Sequence, residues 1–396
     1  MLDWLKRHDP GRVFLETAGD SLSYGEMVRA VEGRAVTGTE VIHPGLDIAS
    51  VVDILAVVSR GSAVLAGDDL DPGPVDHVGA ASVMFTSGTT GGRKGVRLTR
   101  ENWIAAADAS MRHLGHGPDD VWLLAMPLHH VAGLSILLRS AYAGGSVRML
   151  DRFDPRAYAA ELHKGVTMAS MVPTMLARVL DVDTRTHDGL RAVLLGGGPI
   201  PESLLERGLA TGLPLLPTYG LTETAGQIAT LRPGDPPTNR AHPLPGAELR
   251  IGPDGRIAVR GPMVSPGYVG EPERRGDWLV TGDLGSIDED GALRVLGRAD
   301  TVIVSGGENI DPEMVEAEIA SLPGVDGALV VGLPSREWGM ESACLYVGDI
   351  GEGEVAMQLR ERLPGFMIPK RWLRVSQLPV TAIGKPDRIA AARSFS

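Results

Sequence analysis

Residues Met84 to Leu98 read MFTSGTTGGRKGVRL, with four glycines, four hydroxyl side chains and a single lysine. The preceding residues extend an apolar run, ASVMF, of strand length. The loop that follows combines open backbone amides with the hydroxyls of Thr86, Ser87, Thr89 and Thr90, a composition suited to wrapping phosphate oxygens. A Walker-type loop would place a hydroxyl directly after its lysine and enter a helix at once. Gly95 follows Lys94, so that class is excluded. Downstream, RENWIAAADASMRHLG sets Ile104, Ala107, Met111 and Leu114 at helical spacing, with Gly115 as the stop. The expected order is strand, glycine loop, helix.

Composition sets the frame for this loop. A chain of 396 residues with 43% hydrophobic and 22% charged residues is sized for two or three globular domains. One cysteine, Cys344, cannot form an intrachain disulfide, and no Cys/His cluster suggests zinc. No stretch of about 18 apolar residues predicts a membrane span, and the N-terminus breaks into charge too early for a secretory signal. These features predict a soluble cytoplasmic protein, and they leave room for a homodimer. A formal charge of -12 argues against general nucleic-acid binding. Only five basic residues are lysines, and Lys94 and Lys385 both sit in glycine-flanked loops.

Strand-length apolar runs then alternate with amphipathic helical stretches through DVWLLAMPL, GLSILLRSAYAGG, SVRML, VTMASMVP, LRAVLLGGGP and LPLLPTYGLTE. That alternation predicts an α/β fold with mainly parallel strands. From about residue 244 the pattern changes to hairpins, AELRIGPDGRIAVRG and GSIDEDGALRVLGR, with Asp-Gly turns. Beyond Arg298 a smaller α+β unit is expected. It opens with a helix capped by Asp311, with Pro312 at its first position and Val315, Ile319 and Leu322 on one face. The fold class is therefore α/β plus α+β. A large N-terminal domain, 1–298, combines mainly parallel sheets with an antiparallel β part, and a small mobile C-terminal domain spans 299–396.

Six stretches, in order along some 300 residues, resemble the motifs of the adenylate-forming superfamily, whose members include acyl- and aryl-CoA synthetases. The first is TSGTTGGRKG, with Arg93 where the family usually has proline. The others are LLGGGPIP at 194–201, YGLTETAGQ at 219–227, VTGDLG around Asp283, and GRADTVIVSGGENIDPEMVEAEI followed by TAIGKPDR. On the residues alone, Thr222-Glu223 equally suits a helix start with an acidic first turn, and LLGGGPIP a strand-to-helix turn.

The resemblance implies ATP, Mg2+ and coenzyme A as cofactors and a small-molecule carboxylic acid as substrate. The loop residues Thr86, Ser87, Gly88, Thr89, Thr90, Gly91 and Lys94 would hold the distal phosphates. Gly196, Gly197 and Gly198 would lie against adenine, with Thr218, Tyr219 and Gly220 beside it. Thr222 would meet the α-phosphate, Glu223 would hold the metal, and Asp283 and Arg298 would bind ribose. Asp300 would act as hinge, Gly306 and Gly307 would line the thiol channel, and Lys385 would be the catalytic lysine.

MPLHHVAGLSILLRSAYAGG and YGLTETAGQIATL are similar in particular to the o-succinylbenzoyl-CoA synthetases of menaquinone biosynthesis. That likeness makes His130 an acyl-pocket residue and places Arg139 and Gln227 at the acid. Arginine's fork suits the second carboxylate of a diacid. The activity so implied is AMP-forming ligation of 2-succinylbenzoate to coenzyme A through an acyl-adenylate. The alternatives are another aryl or medium-chain acid, or loading of a carrier-protein thiol.

Overall fold

The computed structural model describes residues 1–395 except 68–69, 71–78, 87–93, 184, 186–188, 275–276 and 381–385. Most of the parallel strands sit in a nine-stranded sheet. Its central order runs Leu215–Leu221, Ala192–Leu195, Met168–Met171, Val121–Leu124, Ser146–Met149. These neighbours pair in parallel register, as in Leu194 against Leu216 and Leu124 against Met149. All four residues of Ala192–Leu195 are buried, as expected where helices cover both faces of a sheet.

A second, five-stranded sheet carries the glycine loop. Here the expected order needs correction, because the loop does not lead straight into a helix. Strand Ser82–Phe85 returns antiparallel through Gly95–Leu98, with Phe85 opposite Gly95, and Thr86 N donates to Lys94 O at 3.0 Å. The residues on either side of the loop, Thr86 and Lys94, thus adjoin the ends of two antiparallel paired strands. Four residues with Val96 and Leu98 inward were too brief an alternation to announce a strand.

Helix Arg100–Leu114 follows, capped reciprocally by Thr99 and Asn102 and closed at Gly115. Its deepest residues are Trp103, Ala109 and Ser110, whereas Ile104 and Met111 are half-buried. Ala107 and Leu114 of the expected face are buried, so that face is shifted toward Trp103 and Ser110 rather than replaced. Polar partners account for this, since Trp103 Nε1 donates to Ser82 Oγ at 3.0 Å and Ser110 Oγ to Gln227 Oε1 at 3.0 Å.

The predicted hairpins form an antiparallel sheet of Glu248–Ile251, Arg256–Arg260, Leu279–Ile287 and Leu293–Arg298. Past Arg298 the chain builds its own cores. Val325–Ser335 pairs antiparallel with Gly339–Gly348, and helix Pro312–Ala320 packs on them, with Val315 and Ile319 fully buried. Asp311 caps that helix and Pro312 opens it, whereas Leu322 lies beyond its end. Cys344 is buried in the strand, and burial pushes its thiol pKa up, so it packs rather than reacts.

Candidate active site

Two adjoining cavities lie at the C-terminal ends of the parallel strands. This is where an open α/β sheet leaves a crevice between diverging connections. The larger, about 670 Å³, is lined by Phe85, Thr86, His129, His130, Thr222, Glu223, Tyr268 and Arg298 among others. The second, about 390 Å³, includes Gly197, Gly198, Thr218, Tyr219, Asp283 and Arg298, and from the small unit Asp311, Glu313 and Met314. Gly197, Gly220, Leu221 and Arg298 border both.

Strand Leu215–Leu221 delivers Thr218, Tyr219 and Gly220 to this crevice. At its end the chain reverses through a short 3-10 turn, Thr222–Thr224, into Gly226–Thr230, antiparallel to it. Thr222–Glu223 is therefore neither a long helix's cap nor a plain loop. A Cβ on Gly220 would lie 1.9 Å from Gly226 O, so this reversal admits no side chain there. Ala225 adopts φ 52, a left-handed conformation that costs free energy in any residue but glycine.

Glu223 is set from two sides. Its backbone oxygen accepts from Ser265 N at 2.7 Å, and its Oε1 accepts from the Tyr268 hydroxyl at 2.8 Å. Lys94 Nζ lies 4.7 Å from the centre of the Tyr268 ring and 3.1 Å from Glu271 Oε1. The lysine of the glycine loop and the carboxylate thus meet around one tyrosine that the sequence reading did not single out. GYVGEPE, the stretch that carries Tyr268 and Glu271, matches none of the motifs quoted above.

On the other side, Tyr219 donates to Asp283 Oδ2 at 2.7 Å, while Arg298 reaches Asp283 at 3.4 Å and Asp300 at 3.1 Å. Burial and the Asp283 charge push the Tyr219 phenol up, so it stays a donor. His130 caps helix Val131–Ala143 through its backbone, and its ring lies 4.4 Å from that of His129.

Arg139 and Gln227 do not open onto either cavity. Arg139 is only 5% exposed and donates to Gln227 Oε1 at 2.5 Å, to Ser135 O and to Ser135 Oγ, with its guanidinium over the Trp122 ring. Gln227 Nε2 continues to Thr230 Oγ1 at 2.8 Å, and Thr230 is bonded to Thr218. Burial pulls the Arg139 pKa down to about 9, and no ion pair to it is found among the described residues. A one-water-sized void of about 10 Å³ lies beside it.

Gly306 and Gly307 form the turn between Ile303–Ser305 and Glu308–Ile310, where Gly306 N donates to Trp338 O. They border neither cavity. Gly196 directly follows strand Ala192–Leu195, with its N–H on Met171 O at 3.2 Å. Ser87, Gly88, Thr89, Thr90, Gly91 and Lys385 lie outside the described residues.

The donor set fits a hard divalent cation held mainly by phosphate. Glu223 is half-buried, with one oxygen committed to Tyr268. Among the described residues no group of three or more His, Cys, Asp or Glu could form a self-sufficient metal cage. Mg2+ is commonly bound through one or two carboxylates plus substrate phosphates. Likewise among the described residues, no helix is long and apolar enough to cross a membrane.

Residues 40–269 match the model of the AMP-binding enzymes and 314–385 that of the AMP-binding enzyme C-terminal domain. A 2-succinylbenzoate–CoA ligase of Listeria monocytogenes is 40% identical over 321 residues, covering 78% of this chain and 69% of the relative. Among solved structures, the O-succinylbenzoate coenzyme A synthetase (MenE) of Bacillus subtilis in complex with ATP and magnesium ion aligns with a TM-score of 0.84. It is 29% identical over 98% of each chain. A double mutant of that enzyme bound with its product analogue OSB-NCoA gives 0.69 at 29% identity, over 99% of this chain and 97% of the other.

Proposed function

The chain belongs to the AMP-binding enzyme family, and from that premise we propose that it is an ATP-dependent acid–CoA ligase forming 2-succinylbenzoyl-CoA through an acyl-adenylate. The observation that carries this reading is the junction of two cavities at Arg298, with Thr222, Glu223 and the histidine pair in one and Gly197, Gly198, Tyr219 and Asp283 in the other. Such a pair can hold a nucleotide in one lobe and an acid in the next, with the α-phosphate at the shared edge. The acid itself is carried over from the relatives.

In this reading the acid's carboxylate attacks the α-phosphorus, and pyrophosphate leaves. Two anions must meet, so the site's contribution is charge and orientation. Lys94 and the hydroxyls of its loop hold the departing phosphates. Glu223, fixed by Tyr268, would hold Mg2+, which when bound would neutralise phosphate charge. Thr222 orients the α-phosphate, and Asp283 with Arg298 takes the ribose hydroxyls. His130 lines the acyl side. Lys385, from the small unit, would sit between carboxylate and phosphate. Coenzyme A then attacks the adenylate by its thiol, releasing AMP, with Gly306 and Gly307 beside the thiol path after a swing about Asp300.

The proposed division at 298/299 follows the separate cores on its two sides. A cytoplasmic location accompanies this reading. The test is ATP–pyrophosphate exchange over a panel of acids including 2-succinylbenzoate, followed by CoA-dependent AMP release. Exchange with 2-succinylbenzoate and thioester formation support the reading. Exchange only with other acids overturns the substrate, and none with any acid overturns the reaction.

A further inference from the structure

Helix Glu202–Ala210 begins directly after the glycine loop that borders both cavities, and its own sequence does not cap it. Pro201 stands at the cap position and has no side-chain acceptor. An uncapped N-terminus leaves backbone N–H groups without intrahelical partners, together with the positive end of the helix dipole.

The missing acceptor comes from the other side of Arg298. Glu318, on helix Pro312–Ala320, is fully buried. Its Oε2 accepts from Ser203 Oγ at 2.6 Å, and its Oε1 faces Ser203 N at 3.4 Å. Arg362 Nη1 lies 3.9 Å from Oε2 and donates to Ser321 Oγ at 2.8 Å. Asp311, Met314 and Glu318 are spaced three and four apart on one face of their helix. The first two border the nucleotide-side cavity and the third reaches Ser203.

We infer that Glu318 is a positioning residue that caps helix Glu202–Ala210 in trans and holds the small unit in the arrangement required for adenylate formation. A buried carboxylate needs partners, and among the described residues the donors found for it on the large unit come from Ser203. Any rotation of the small unit about Asp300 must break those bonds and return Glu318 to water. The contact therefore favours one half-reaction and must be undone for the other. The whole chain also superposes more closely on the ATP-bound relative than on the product-analogue complex. The inference rests on the two-step reading above.

The test compares Glu318→Ala, Glu318→Gln and Ser203→Ala with wild type in the two half-reactions separately. Expected for Glu318→Ala is a drop of about tenfold in ATP–pyrophosphate exchange, the scale of one lost charge-assisted contact. Thioester formation from synthetic acyl-adenylate and CoA should stay within about twofold. Glu318→Gln keeps an acceptor, and rescue to within threefold or so of wild type is expected. Equal loss in both half-reactions, or no change in either, overturns the proposal.

Hydrogen exchange on the substrate-free protein supplies a readout independent of activity. Amides in the first turn of Glu202–Ala210 should lose protection in Glu318→Ala, and unchanged protection there overturns the capping contact. If wild type adenylates no acid, the proposed function fails, while the exchange measurement still decides whether Glu318 caps the helix.

Discussion

The Tyr268 hydroxyl donates to Glu223 Oε1 at 2.8 Å while the same ring lies under Lys94 Nζ at 4.7 Å. One aromatic side chain therefore sets both a carboxylate suited to a cation and the cation of the glycine loop. The Glu223 charge, after burial, holds the Tyr268 phenol pKa above its ordinary value, so the donor persists across the working pH range.

Removing that hydroxyl should act on the metal more than on the fold. In Tyr268→Phe the ring still packs, but Glu223 loses a hydrogen bond to a charged acceptor, worth roughly 1.5–3 kcal/mol. The magnesium concentration for half-maximal ATP–pyrophosphate exchange should rise by about tenfold. A magnesium titration of both proteins measures it. An unchanged midpoint would mean that Tyr268 does not orient the metal-binding carboxylate.

Lys94 leads to a different split between stability and activity. Its side chain is 53% exposed, and its Glu271 partner is 49% exposed, so the pair contributes less than about 1 kcal/mol to folding. Lys94→Ala should leave Tm unchanged within error and raise half-saturating ATP roughly tenfold through loss of a phosphate contact. Thermal melts and ATP titrations of exchange check the two halves together.

What the sequence disclosed and what it hid can be separated by range. Local periodicity was sufficient for Ala192–Leu195, for the hairpin Glu248–Ile251 with Arg256–Arg260, and for the Asp311-capped helix. Each is specified by its own apolar spacing and turn residues. Strand Gly95–Leu98 was missed because four residues carry too little pattern, and its identity depends on its partner 82–85. Tyr268 and Ser203 were missed for a related reason. Their partners lie 45 and 115 residues away, and nothing in a local window signals such a bond. Of the residues named from the motif order, Thr86, Tyr219, Thr222, Glu223, Asp283 and Arg298 line the two cavities, whereas Arg139 and Gln227 bond to each other in a buried network that borders neither.

That network yields a prediction about stability. Gln227 serves Arg139, Ser110 and Thr230 at once, and it is only 7% exposed. Gln227→Leu keeps the volume but leaves a buried guanidinium short of an acceptor, which costs about 2–4 kcal/mol. Arg139→Met with Gln227→Leu removes both poles and should recover at least half of that loss. Urea melts of the two single variants and the pair give the coupling energy. Strict additivity would show that the two residues do not share one interaction.

The last prediction concerns pH and the seam between the two units. Asp311 is 8% exposed, and its pKa is raised from 3.8 to about 6, first by burial and then by the Glu313 and Glu316 charges, against donors from Glu313 N and Met314 N. Its carboxyl also fits against Gly297, at φ +115, where an added Cβ would lie 2.7 Å from Asp311 Cγ. A raised carboxylate pKa means that the folded state binds the proton more tightly than the unfolded one, so this group lowers stability as pH rises from about 4 to 6. At pH 7 the full cost applies, on the order of 3 kcal/mol for a shift of about two units, less what the helix dipole returns. Asp311→Asn retains a good helix cap and carries no charge. It should raise unfolding free energy at pH 7.5 by about 1–3 kcal/mol and change it little at pH 4, where the aspartate is already protonated in the fold. Chemical denaturation of both proteins at the two pH values measures the difference. A gain of equal size at both would show that the stabilisation comes from packing rather than from the removed charge.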